Sequence, residues 1–98
     1  MGFASNNDFC RLAASQVIAI GASSTAGTAV SAGAYRVRVA APGPCFIKIG
    51  DGTPTATTSD VYMPGSWPEY FAVTPGQKVA VIQSGSTTGN LSVTEMTA

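Results

Sequence analysis

Residues 33–50 read GAYRVRVAAPGPCFIKIG. Tyr35, Val37 and Val39 alternate with Arg36 and Arg38, a side-chain period of two that fits a strand with one face buried and one wet, and no helix. After the Pro42-Gly43-Pro44 break, Cys45, Ile47 and Ile49 alternate in the same way with Phe46 and Lys48. The pattern predicts two strands joined by a short rigid turn, with the first-named residue of each alternation facing the core.

The flanking sequence adds strands to this pair. SQVIAIGA, residues 15–22, reads as a strand with Ile18 and Ile20 inward and Val17 and Ala19 on the other face. The Gly/Ala/Ser/Thr run that follows predicts a loop with one short edge strand over Thr28–Val30. Downstream, Asp51-Gly52-Thr53-Pro54 is a turn, and 55–59 is a polar stretch that suits either an exposed strand or a long loop. DVYMP (60–64) and EYFAV (69–73) are strands separated by Gly65-Ser66-Trp67-Pro68, with Phe71 and Val73 inward and Tyr70 outward. Thr74-Pro75-Gly76-Gln77 turns the chain into KVAVIQ (78–83), and the last strand spans 90–96 with Leu91 and Val93 inward, Ser92 and Thr94 outward. The expectation is an all-β antiparallel sandwich or small barrel of jelly-roll or Greek-key type, with six to eight short strands. Residues 15–98 form its single domain. Residues 1–14 lack any period and read as an extended N-terminal arm, whose Phe3, Phe9 and Leu12 either anchor on a neighbouring subunit or belong to a tail.

Composition narrows the function. The 98 residues carry 10% charged side chains that cancel to a net charge of zero, with no run of like charge. That argues against nucleic acid or an anionic membrane as the main partner, since both need clustered Lys and Arg. No apolar run is long enough for a spanning helix. Ser and Thr make up about a fifth of the chain, and much of its apolar content is Ala and Val. A core of small side chains buries little area per residue, which points toward a homo-oligomer or an assembly component. Histidine is absent and the two cysteines, Cys10 and Cys45, are widely spaced. The expectation is two reduced thiols in a protein made in a cytoplasm, no metal or other cofactor, and no enzyme with a small-molecule substrate. The five acids, Asp8, Asp51, Asp60, Glu69 and Glu95, fall on the tail, on turns or at strand ends, where solvation is expected. Arg36 and Arg38 share a strand face and have Asp60, Glu69, Glu95 or another subunit's carboxylate as candidate partners. Tyr62, Trp67 and Tyr70 cluster in one segment, where aromatics close a core, fill a subunit contact or stack on a sugar.

From about Val17 to Thr97 the chain resembles a group of small β-rich proteins encoded among the structural genes of tailed bacteriophages. The likeness lies in YRV (35–37), CFIKIG (45–50), PTATTSD (54–60), EYF (69–71), PGQKVAVI (75–82) and LSVTE (91–95). It implies a virion component: a capsid decoration or cement protein that binds the major capsid protein, works as a dimer or trimer, and lays terminal arms on the capsid surface. The alternatives are a head–tail connector or tail component of the virion and, from a different class, a carbohydrate-binding module. The resemblance carries no contact motif, so the candidate partner contacts come from the residues themselves: Phe3, Phe9, Leu12, Tyr62, Trp67 and Tyr70.

Overall fold

The computed structural model describes residues 11–97. They form β1 (Arg11–Ile20), β2 (Thr25–Ala26), β3 (Arg36–Ala40), β4 (Cys45–Gly50), β5 (Val61–Met63), β6 (Glu69–Ala72), β7 (Lys78–Gln83) and β8 (Gly89–Thr97), and among the described residues there is no helix. The strands make two four-stranded sheets, ordered β1-β8-β3-β6 and β2-β7-β4-β5. All pairs are antiparallel. The longer strands supply buried rows by alternation, and the rows form a single cluster to which Ile18, Val37 and Leu91 contribute from the first sheet and Ile47, Met63 and Val81 from the second. The sandwich expected from the pattern is the one observed.

The central pair is not a hairpin. β3 lies in the first sheet between β8 and β6, whereas β4 lies in the second between β7 and β5. Alternation decides which way side chains point and leaves the hydrogen-bonding partner open. The Pro42-Gly43-Pro44 segment therefore carries the chain from one sheet to the other. The same holds along most of the described chain, since among the described strands β4 and β5 are the one consecutive pair that share a sheet.

Three further expectations are corrected. β1 begins at Arg11, so residues 11–14 belong to a strand and not to the arm; Arg11 pairs with Thr97 and Leu12 with Met96, before a bulge between Leu12 and Ser15. That bulge interrupts the alternation and hides the strand from a pattern reading. The edge strand is Thr25–Ala26, starting three residues upstream of the expected start. Val30 is a buried plug instead, its N–H donating to the Gln77 carbonyl at 2.9 Å and its carbonyl accepting from Gly76 N–H at 3.1 Å. Tyr35, expected inward, is exposed while its neighbour Ala34 is fully buried, since the alternation of β3 begins only at Arg36; the Tyr35 carbonyl accepts from Val73 N–H at 3.0 Å.

The turns at one end pack against each other. Ser66 N–H donates to the Ala41 carbonyl at 2.8 Å, and Ser84 N–H to that of Pro44 at 3.3 Å. Gly65 and Gly43 approach so closely that a Cβ on Gly65 would stand 2.5 Å from Gly43 Cα. On the second sheet's outer face the 51–60 loop forms a strap that reaches Ser24, before β2 on the far edge, whose Oγ accepts from Ala56 N–H at 2.8 Å. Ala80 is in outward phase opposite Lys48, yet it is fully buried.

Candidate functional site

The interior holds little reactive chemistry. Cys45 is fully buried, and burial pushes its thiol up to about 11, which removes the thiolate that a nucleophile needs. Glu95 is the exception to an apolar core. It faces inward opposite Val37 and is only 6% exposed, contrary to the solvated position expected for it. Its carboxylate accepts Ser31 N–H at 3.1 Å, which ties the 31–35 loop to β8. Among the described residues every buried side-chain nitrogen and oxygen has a hydrogen-bond partner, and no group of three His, Cys, Asp or Glu could hold a metal ion.

Cys45 makes stability depend on alkaline pH. An exposed thiol in the unfolded chain ionises near 9.0 and the buried one near 11, so between these values the native state keeps a proton that the unfolded state releases. The contribution is fully present below pH 9 and declines as pH rises toward 11, by up to about 2–3 kcal/mol. Denaturant unfolding at both ends of that window should show a steeper alkaline loss for the wild type than for Cys45→Ala. Parallel losses would refute the assignment.

The candidate site is therefore the surface. Leu12, Val17 and Tyr70 all lie on the outer face of the first sheet: Leu12 pairs with Met96, Val17 with Ser92 and Tyr70 with Arg38, each in outward phase. They are 67%, 68% and 55% exposed. Arg36 and Arg38 run down the middle of this face on β3, Arg38 standing between Tyr70 on β6 and Thr94 on β8. Thr94 faces outward as its phase requires but is nearly buried, bonded to Ser15 Oγ at 2.8 Å.

The three aromatics expected to cluster do not. Tyr62 lies on β5, on the outer face of the second sheet, edge-on to Phe46 with ring centroids 5.5 Å apart. Tyr70 lies on the opposite outer face, because the chain changes sheets between β5 and β6. Trp67 stands on the turn between them, 67% exposed, after Ser66 at φ 60°. A three-ring stacking platform for a sugar is not formed. Phe3 and Phe9 lie outside the described residues. Val17 was missing from the expected contacts, although an apolar residue in the wet phase of a strand was visible there.

Of the acids, Asp60 belongs to the strap of the second sheet, where its carboxylate accepts Thr57 N–H at 2.7 Å and the Thr57 hydroxyl at 3.1 Å. Glu69 pairs with Val39 in inward phase on the edge strand β6. No protein-family model, no curated protein and no solved structure matches this chain.

Proposed function

We propose that this chain is a virion structural protein, a capsid decoration or cement protein that docks on the major capsid protein as a small homo-oligomer and stabilises the head. The observation that carries the reading is the placement of Leu12, Val17, Trp67 and Tyr70 in water on a fold whose described interior is apolar apart from the hydrogen-bonded Glu95. Exposed aromatic and aliphatic residues of this kind anchor interfaces. The strand order β1-β8-β3-β6 over β2-β7-β4-β5 is that of a jelly roll, an architecture used by viral capsid domains. That is support by analogy of fold, and it agrees with the sequence resemblance to phage structural proteins. A protein that binds the assembled shell and not its free subunits stabilises the shell by mass action.

Adding the purified chain to shells that lack it tests the reading. Saturable binding at copy numbers that scale with the capsomers, together with a raised disruption temperature, is the expected result. A handful of copies per particle would move the protein to the head–tail connector or tail, and no binding would reject the virion role.

The arm can be tested in the same assay. Residues 11–14 are part of β1, so a deletion of 1–14 would damage the sheet. Deleting residues 1–10, which removes Phe3 and Phe9, should weaken binding about tenfold if these rings are anchors. Unchanged occupancy would take the arm out of the docking mechanism.

A further inference from the structure

We infer that this chain forms a two-fold dimer in which β6 pairs antiparallel with β6 of a second copy, Tyr70 opposite Ala72, so that the two first sheets join into one. The contact rests on the small homo-oligomer of the proposed role and adds which edge makes it. The sandwich closes one flank with its own residues and leaves the other open. On the closed flank, where β1 meets β2, the Gln16 carboxamide bridges to the backbone of Thr28, donating to its carbonyl at 3.1 Å and accepting its N–H at 2.8 Å. On the other flank, formed by the edge strands β5 and β6, Val61 shares the inward phase of the buried Met63 yet is 52% exposed, and Phe71 is only partly buried.

The backbone of β6 selects a second copy as the occupant. Opposed residues in an antiparallel ladder alternate between pairs that exchange both N–H···O bonds and pairs that exchange none. Val73 N–H donates to the Tyr35 carbonyl, so Val37 with Phe71 and Val39 with Glu69 are the bonded pairs. The N–H and C=O groups of Tyr70 and Ala72 therefore point away from β3 along the free edge of the sheet, which is a template for a further strand. That edge is short. Pro68 has no N–H, and the Thr74 N–H is taken by the Gln77 side-chain carbonyl at 2.9 Å. Only Tyr70 opposite Ala72, about a two-fold through Phe71, uses every free group between these limits, and each copy supplies both halves of the match. The same register sets Glu69 against Val73 of the second copy and not against another Glu69, so like charges stay apart. It also lays the Tyr70 ring beside the small Ala72 side chain, and turns the half-exposed Val61 of the two copies toward each other beneath the joined strands.

Sedimentation of the full chain tests the contact, and the wild type should have the mass of a dimer. Ala72→Pro removes a free N–H, and proline is tolerated where an edge N–H faces solvent, so the single chain still folds, which circular dichroism checks. Val61→Lys leaves the backbone alone and sets a cation against its copy across the two-fold. Each should weaken the dimer by at least about tenfold. Val17→Glu, on the far edge strand β1, should leave it unchanged. A wild-type monomer or trimer, or a dimer that withstands Ala72→Pro and Val61→Lys in folded protein, would overturn the contact. Should Ala72→Pro not fold, Val61→Lys decides alone. A wild-type monomer whose binding to shells is abolished by Ala72→Pro would assign the edge to a strand of the capsid protein, and so overturn the second copy. Shells are absent from the sedimentation, so its failure leaves the virion role standing, whereas a dimer that binds no shell would reject that role and keep the contact.

Discussion

Gly65→Ala should destabilise the domain by about 3 kcal/mol and lower its unfolding temperature by roughly 15 °C. The added Cβ would stand 2.5 Å from Gly43 Cα and 2.8 Å from Gly43 C. Both are backbone atoms, so no side chain can rotate away. Relief requires the 41–44 and 64–66 turns to separate, which would break the hydrogen bond from Ser66 N–H to the Ala41 carbonyl. These turns carry the chain between the sheets at that end, so the damage reaches both β3–β4 and β5–β6. A domain of this size is stable by only about 5–15 kcal/mol, and the loss is a large share of that. Gly33→Ala is the matched control: a Cβ there meets nothing within 4 Å, so thermal unfolding should match or slightly exceed the wild type. Equal unfolding temperatures for Gly65→Ala and the wild type would show that the turns do not pack this closely.

Leu91→Ala is expected to cost a similar amount, about 3 kcal/mol, through lost transfer energy and the cavity left behind. Leu91 is fully buried on β8, a central strand of its sheet, opposite Ile18. Val17, one residue before Ile18 on the same strand, has the opposite phase and stands in water. Val17→Ala should therefore change stability by no more than about 0.5 kcal/mol. Chemical unfolding of the two variants measures the contrast directly, and comparable losses would mean that the register of β1 on β8 is wrong.

Much of the fold was legible because alternation is a local property. Val37, Val39, Cys45, Ile47, Val79, Val81, Leu91 and Val93 all face inward as their period required, and KVAVIQ is β7 at its expected bounds. The bulge in β1 was not legible, since one irregular pairing erases the period that would announce it. Nor was the burial of Glu95. Its phase on β8 matches that of Leu91 and Val93, but a charged residue near a chain end reads as solvated unless its partner, here the Ser31 N–H, is known. The aromatic segment was misread for a related reason: Tyr62 and Tyr70 are close in sequence, and a change of sheet at Trp67 sends them to opposite faces.

By itself, then, the sequence determined the strands, their inward rows and the absence of a helical period, because each depends on the backbone and side chains of neighbouring residues. Tertiary structure alone decided that the two central strands part into different sheets, that Glu95 lies in the core, and that Arg38, Val17 and Tyr70 share one face. Those facts depend on which distant strands pair, and every such pairing joins backbone groups that are chemically alike, so the choice among them is made by the packing of the whole molecule.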